Sequence, residues 1–522
     1  MVESFEILFL LQLGEGIGRG DLLDAIQVSL SLMSERWHYL LIGVIAGMIL
    51  GIIPGLGGLV ALTILLPFTF FLDQYQAFML LSGAIGATTF SGSLTAILIN
   101  TPGTSSNAAT MIDGYPLTQQ GRANEAIIAS AISSAGGAIV GTILFLLLLP
   151  FISGFVLMFG PSEVFWLIAI ALVIIPLSVS NKPLYGIMTA MLGGLLALVG
   201  TAPQTGEGRF TLGIDILLDG VDLMAMIIGM FAIAEVVRLM SLGKGSIVDS
   251  SKIQLQGSKL EGAKAVIKHR WTWLRGSMIG VLIGAIPGAG ATVSAFLAYA
   301  QAIQFSKTPD KFGSGAIEGV IAAEAANDAK DGGQLFPTLG LGIPGTASMA
   351  VFLAGLLIQG IFPSPSLIVD ETYLVLVIIL SILASNITTS IIGVALVKYI
   401  AKLATTPVPV LFVLITTISL SAVLVTRGQP IDLVFAVAFA IFGLLLIAVN
   451  VSRVPFLIAF VLVGMAEESF LFAVALSGGD MSDALLSGTL NIILVIIFAV
   501  SFLFAVLPPT IRQKMRNRLM KA

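Results

Sequence analysis

Four Pro-Gly pairs interrupt apolar runs of this chain, and they are the residues best placed to do chemistry. Gly51-Ile-Ile-Pro-Gly-Leu-Gly-Gly58 returns as Gly284-Ala-Ile-Pro-Gly-Ala-Gly-Ala291, and Ile99-Asn-Thr-Pro-Gly-Thr-Ser-Ser106 returns as Leu341-Gly-Ile-Pro-Gly-Thr-Ala-Ser348. Pro54 and Pro287 each remove a backbone donor and clash with the preceding turn, while Gly55, Gly57, Gly288 and Gly290 permit backbone angles that other residues avoid. A helix broken in this way inside a bilayer frees N–H and C=O groups, which are tolerated only where they are buried in protein or line a wet cavity. Broken membrane helices in both halves of a chain point to a transporter binding site.

The chemistry on offer is recognition of an anion. No Lys or Arg lies within either Pro-Gly region. The available donors are therefore backbone N–H groups and polar side chains. One half supplies the run Asn100, Thr101, Pro102, Gly103, Thr104, Ser105, Ser106 and Asn107, and the other supplies Pro344, Gly345, Thr346 and Ser348. Helices restarting after Pro102 and Pro344 would aim their N-termini at the anion, each equivalent to roughly half a positive charge. A di- or tricarboxylate brings more negative charge than two such ends offset, so bound cations are the natural remainder. Moving a charge against the membrane potential costs about 2.3 kcal/mol per 100 mV. A dianion thus needs at least two co-transported cations for neutrality and a third to be drawn inward, which makes Na+ or H+ symport the expectation. No cofactor is expected.

Candidate cation ligands lie where Glu318, Glu324, Asp328, Lys330 and Asp331 crowd between apolar runs. Glu324 and Asp328 are four apart and share a face if the segment is helical. Asn327 and Asp328 could ligate the cation, or Asp328 could carry a proton. Alternatively the segment is a solvated loop, or Lys330 simply neutralises a neighbour. Elsewhere Glu235 and Arg238, three apart at a helix end, read as a structural pair, and Glu467 with Glu468 reads as a loop or break. His38 and His269 fall at membrane margins. Ser130, Ser133 and Ser134 with Gly136, Gly137 and Gly141 form a small-residue face that more often packs helices than binds ligand.

The elements that must hold these residues follow from composition. Hydrophobic residues make up 57% of the 522 positions and charged ones only 10%, against about 25% charge in soluble domains; mean hydropathy is +1.05. This is the signature of an all-α polytopic membrane protein, whose solvent is the lipid bilayer. Runs of helical length rather than ten-residue alternating segments exclude an outer-membrane barrel. Cysteine is absent, so disulfides, thiol nucleophiles and cysteine metal sites are excluded. No nucleic-acid partner is expected. The opening MVESFEILFLLQL has acids at Glu3 and Glu6 and no basic leader, a poor fit to a cleaved signal peptide.

The chain divides into an N-terminal segment, 1–38, in which Leu22 to Met33 suits an interfacial helix or a simple lead-in; a first membrane repeat, 39–240; and a basic connector, 241–275. A second repeat core, 276–400, C-terminal helices, 401–508, and a basic tail, 509–522, follow. Connector and tail together hold 12 of the 25 Lys and Arg, which places both in the cytoplasm by the positive-inside rule. The hydrophobic runs allow about eleven or twelve crossings. The first motif pair is offset by 233 positions and the second by 242, so two repeats differ by a nine-residue insertion. An inverted relation between them requires an odd number of crossings between the motifs.

The GxIPGxGG stretch near the start, FSGSxTAILINTPGTSSNAATxxDGYP from Phe90 to Pro116, and EAANDAxxGGxLFPTLxLGIPGTA from Glu324 to Ala347 carry a family resemblance along essentially the whole chain. Together with the polar connector they resemble the large membrane subunit of the tripartite tricarboxylate transporter family. Two positions depart from its pattern: Phe90-Ser91-Gly92 stands where an aromatic followed by two glycines is usual, and Asp328 stands where a second Asn is common. The resemblance implies a bacterial inner-membrane secondary transporter for an organic carboxylate, not an enzyme. It also implies a small four-helix membrane subunit, a periplasmic substrate-binding protein, and a mobile transport domain moving against a scaffold through which a homodimer could form. The rival classes are a channel and an intramembrane enzyme using Glu324 and Asp328 as a diacid or metal pair.

Overall fold

The structure is a computed structural model that describes residues 19–156, 159–179, 183–202, 205–242, 255–288, 290–364, 366–403 and 406–506. The start of the N-terminal segment, residues 243–254 of the basic connector and the whole basic tail lie outside the described residues. So do Lys244, Lys252 and the cluster from Arg512 to Lys521 that argue for a cytoplasmic face.

In chain order the helices are α1 (Arg19–Ile52), α2 (Gly57–Leu65), α3 (Gln74–Ile99), α4 (Asn107–Gln119), α5 (Ala123–Val156), α6 (Pro161–Val179), α7 (Pro183–Ala197), α8 (Leu223–Ser241) and α9 (Lys259–Lys268). Then come α10 (Arg270–Gly284), α11 (Gly290–Phe305), α12 (Ile317–Leu335), α13 (Ala347–Ile358), α14 (Thr372–Leu403), α15 (Val408–Arg427), α16 (Pro430–Ala448), α17 (Val454–Leu476) and α18 (Thr489–Val506). Strands β1 (Gly200–Thr201) and β2 (Gly208–Arg209) form one small hairpin. Eight of the described helices are long and apolar enough to cross a bilayer, with five shorter apolar ones beside them. The chain is an all-α multi-pass membrane protein. The stretch Leu22 to Met33 is continuous with the rest of α1, so the helix that starts in that polar-flecked segment is also one of the eight long ones.

The chain forms two units. The first comprises residues 1–156, 222–340 and 344–444. Its helices approach each other through glycine ladders, since without a hydrophobic force between lipid-immersed helices small residues let backbones come into close van der Waals contact. Gly43, Gly47 and Gly51 of α1 lie against the backbone of α3 at Leu80, Ala84 and Thr88; a Cβ on Gly47 would stand 2.7 Å from the Ala84 carbonyl oxygen. Gly276, Gly280 and Gly284 of α10 lie against α12 at Ala322, Ala326 and Lys330, where a Cβ on Gly276 would stand 2.8 Å from the Ala322 carbonyl oxygen. The two ladders are in register: the glycines are 233 positions apart and the residues they meet 242 apart. On the other side of α12, Gly137 and Gly141 of α5 abut the backbone at Ala325 and Ala329.

Polar clasps fix the ends. Asp73 and Gln76 form a reciprocal capping box at the start of α3, satisfying two orphan donors. Asp113, in the middle of α4 and fully buried, accepts the backbone N–H groups of Gly313, Gly315 and Ala316 at 2.8 to 2.9 Å and the Tyr299 hydroxyl at 2.8 Å. It thereby ties α4 to α11 and to the loop that leads into α12.

The second unit comprises residues 157–221, 341–343 and 445–522. Gly193 of α7 packs on the backbone of Phe456 in α17. Glu467 is not in a loop or break: it lies within the uninterrupted α17, because Arg209 reaches it from β2 in a two-pronged pair at 2.5 and 3.0 Å. A carboxylate in an apolar helix needs such a partner. Glu163 of α6 similarly accepts from Asn491 of α18 at 2.8 Å.

Candidate functional site

All four Pro-Gly segments lie in the first unit apart from residues 341–343, and each separates two helices. The first, between α1 and α2, turns through Gly55 at φ +90° and Gly57 at φ +55°. The third, between α10 and α11, turns through Gly288 and Gly290, both at φ +73°. The second runs from Asn100, the left-handed C-cap of α3 at φ +55°, to the start of α4, and the fourth leads into α13.

These segments meet in a closed ring. A Cβ on Gly57 would stand 3.3 Å from the Thr104 methyl group, and one on Gly103 would collide with the Gly51 carbonyl oxygen, so first and second segments touch. The Ser105 hydroxyl lies 2.8 Å from that of Thr292, joining the second to the helix that opens after the third. A Cβ on Gly345 would stand 3.0 Å from the Gly284 carbonyl oxygen, joining fourth to third. A Cβ on Gly58 would stand 3.1 Å from the Ser348 hydroxyl, closing the ring. Gly51 with Gly103 and Gly284 with Gly345 repeat one contact at the offsets of 233 and 242.

The donors of the two loops are not equally available. In the second segment the Gly103 N–H is given to the Gly92 carbonyl and the Thr104 N–H to Asn107 Oδ1. Thr101 donates its N–H to the Thr95 carbonyl and its hydroxyl to the Ile99 carbonyl. The Thr104 hydroxyl sits between Asn107 Oδ1 at 2.6 Å and Ser106 Oγ at 2.9 Å. Internal bonds thus consume several donors that the sequence offers to an anion, and the backbone N–H groups of Ser105 and Ser106 are the ones without a described acceptor. In the fourth segment Pro344 has no N–H, the Thr346 hydroxyl caps α13 by accepting from the Met349 N–H at 3.2 Å, and the N–H groups of Gly345, Thr346 and Ser348 have no described backbone acceptor.

Helix α12 is a 19-residue segment buried almost throughout despite three acids and a lysine in its central turns. The solvated-loop alternative is therefore excluded. Glu324 is the hub of a buried polar network. Its carboxylate accepts hydroxyls from Ser93 at 2.7 Å, Ser130 at 2.8 Å, Ser134 at 3.0 Å and also Thr110, so α3, α4 and α5 all converge on α12. Four hydroxyl donors suit an ionised acceptor. Ser93 also accepts from Asn107 Nδ2 at 2.7 Å, which connects the hub to the second Pro-Gly loop. Ser130 and Ser134 therefore do more than pack, although their neighbours Gly137 and Gly141 keep the packing role. The sequence offered only Ser and Thr residues within otherwise apolar helices, with nothing to say which acid they meet.

One turn along, Asn327 and Asp328 are 1% and 0% exposed, and neither amide atom of Asn327 nor either oxygen of Asp328 has a hydrogen-bond partner. The charges around Asp328 are Lys330, Asp331 and Glu324, with Ser134 close by. Lys330 donates to Asp331 at 2.8 Å, as the neutralising alternative holds. Among the described residues no three His, Asp or Glu side chains gather as a metal centre. The Glu235–Arg238 pair, joined at 2.5 Å, lies under the first break, with Arg238 Nη2 3.0 Å from where a Cβ on Gly55 would be. His269 packs beside Glu318 at 3.6 Å, at the junction of α9 and α10.

Residues 38–458 match the family model described as the tripartite tricarboxylate transporter TctA family. The chain belongs to that family. Membership assigns it to the transporters rather than to the enzymes. It is 32% identical over 452 residues to an uncharacterised 52.8 kDa protein in the TAR-I ttuC' 3' region of Agrobacterium vitis, covering 84% of this chain and 87% of that one. It is 34% identical over 201 residues to an uncharacterised protein in the TAR-II ttuC' 3' region of the same organism, covering 38% of this chain and 83% of that one. No solved structure matches the chain.

Proposed function

We propose that the chain is the permease subunit of a tripartite secondary transporter that imports an organic carboxylate by cation symport. The ring formed by the four Pro-Gly segments carries this reading, because it gathers irregular backbone and hydroxyls from both halves at one place. In it, the anion is received by N–H groups and hydroxyls of Ser105 and Ser106 on one side and of Gly345, Thr346 and Ser348 on the other. The start of α4 and the start of α13 add their helix-end potential. Asn100, Thr101, Pro102, Gly103 and Thr104 shape the first loop, and Pro344 the second.

Asn327 and Asp328 hold the co-transported cation, Na+ or H+. Support comes from their buried oxygens without donors, since an isolated buried charge costs roughly tens of kcal/mol by Born solvation unless compensated. Four acids share α12 with one lysine, and Glu318 lies apart beside His269. Glu324 is compensated by hydroxyls and Asp331 by Lys330, so Asp328 is the acid left for a cation.

In this reading a periplasmic binding protein delivers the substrate, a small four-helix membrane subunit completes the complex, and a scaffold allows a homodimer. The complex lies in a bacterial inner membrane with the connector and tail cytoplasmic, and the two repeats are inverted. Uptake by the reconstituted complex against imposed Na+ and H+ gradients, over a carboxylate panel, tests it. Stimulation by one gradient and acceleration by trapped unlabelled substrate are expected; indifference to both gradients rejects symport, and absence of counterflow favours a channel.

A further inference from the structure

Two buried acceptors next to the fourth Pro-Gly segment have no part in the mechanism above. Gln334 Oε1 and Asp331 Oδ2 lack any hydrogen-bond partner, in residues that are each 1% exposed. The remaining polar atoms of the two side chains are tied down. Gln334 Nε2 donates to Asp331 Oδ1 at 2.6 Å, and Lys330 Nζ donates to the same oxygen at 2.8 Å. The free oxygens are thus held in place by a network whose other bonds are made.

The internal register shows what they stand in for. Gln334 follows Gly92 by 242 positions, as Gly345 follows Gly103. Gly103 abuts Gly92, and Gly345 abuts Gln334: a Cβ on Gly345 would stand 3.0 Å from Gln334 Cβ and 3.5 Å from Gln334 Oε1. In the first half the absent side chain of Gly92 makes room for Asn107, whose Oδ1 accepts the N–H and hydroxyl of Thr104 and so seals the loop with its own amide. In the second half the residue equivalent to Asn107 is Met349, and the amide comes from Gln334 instead. Its oxygen reaches the loop and receives nothing.

A buried carbonyl oxygen without a donor is disfavoured unless a ligand or water supplies one. The ammonium of Lys330 cancels the charge of Asp331, which makes these oxygens poor ligands for a second cation and good acceptors for an O–H or N–H group. We propose that Gln334 and Asp331 select, among organic carboxylates, those that carry a hydrogen-bond donor, a hydroxyl or an ammonium group, beside the carboxylate bound at residues 345–348. Lys330 is a positioning residue. The inference rests on the carboxylate reading given above and adds the residues that discriminate within it.

Affinities of the purified full-length protein in nanodiscs for matched acids test it. Succinate is compared with malate, its 2-hydroxy form, and with aspartate, its 2-amino form, and tricarballylate is compared with citrate. A site built to bond a polar group rejects the analogue lacking it, so the donor-bearing acid should bind about tenfold or more tighter. Malate against aspartate separates hydroxyl from ammonium recognition. Gln334→Leu should bring the ratio to about one, and Gln334→Met serves as the second variant if the first unfolds. Equal affinities within each pair in the wild-type protein, or a ratio that survives substitution of Gln334, overturn the inference and leave the carboxylate reading standing. If no acid of the panel binds, both are overturned.

Discussion

The hydroxyls of Ser105 and Thr292, 187 positions apart, lie 2.8 Å from each other. That contact links a loop of the first half to a helix start of the second. Because the chain has no cysteine, the pair Ser105→Cys with Thr292→Cys can be made in the native background. Side chains this close fall within disulfide reach. Mild oxidation should consume both thiols and abolish uptake, with recovery on reduction; maleimide labelling and transport measured on the same sample check it. Full uptake by the cross-linked form would mean that this contact does not open during transport.

Gly103 and Gly345 predict a graded steric effect. Gly103 is closed in on two sides by Gly51 and Gly92, whereas a Cβ on Gly345 would meet Gln334 and Gly284 at 3.0 Å, a distance at which small shifts relieve the clash. Gly345→Ala should keep partial uptake and Gly103→Ala should lose nearly all of it, while Val at either position abolishes uptake with membrane insertion intact. Uptake per inserted protein measures this, and the reverse order would refute the packing account.

Removal of the Glu324 carboxylate leaves four hydroxyls from three other helices without their shared acceptor. Glu324→Ala should cost roughly 3 kcal/mol or more, by analogy with other broken buried networks. Glu324→Gln should cost less, since hydroxyls can rotate to serve an amide. The midpoints of thermal unfolding in one detergent should fall in the order wild type, Gln, Ala.

For Asp328, replacement by Asn removes the charge and keeps one oxygen. The half-saturating concentration of the driving cation should rise about tenfold or more, at least the scale of a lost outer-shell partner, while unfolding is unchanged or improved, because a buried acid without a hydrogen-bond partner has gone. An unchanged cation dependence would move the coupling site elsewhere.

Asp113 and Tyr299 should be energetically coupled. Asp113→Asn, Tyr299→Phe and the double variant should give an interaction energy of about 1 to 2 kcal/mol in a double-mutant cycle. Additivity of the two single changes would show that the clasp is held by the three backbone N–H groups alone.

The membrane class was plain from apolar runs and the scarcity of charge, and the Pro-Gly breaks were legible because proline and glycine act locally on the backbone. The glycine ladder of Gly43, Gly47 and Gly51, repeated at Gly276, Gly280 and Gly284, was equally available as a spacing of four, but it acquires meaning only against the partner helix. Glu324 was harder to read. Its four partners are scattered over Ser93, Thr110, Ser130 and Ser134, and a hydroxyl carries no sequence mark of what it will bond. Lys330 and Asp331 could be paired from the letters as neighbours of opposite charge, but Gln334 falls at a position that the recurring motif leaves open, so nothing joined it to them. Glu467 seemed to interrupt an apolar stretch because its partner, Arg209, lies in a hairpin hundreds of residues earlier.

The nine extra positions of the second half fall between its Pro-Gly break and α12, the stretch that includes Gly313, Gly315 and Ala316. Those are the amides that grip Asp113. Most of that extra length lies in α11, which runs 16 residues where α2 runs 9, and Tyr299, which donates to Asp113, sits beyond the point at which α2 ends.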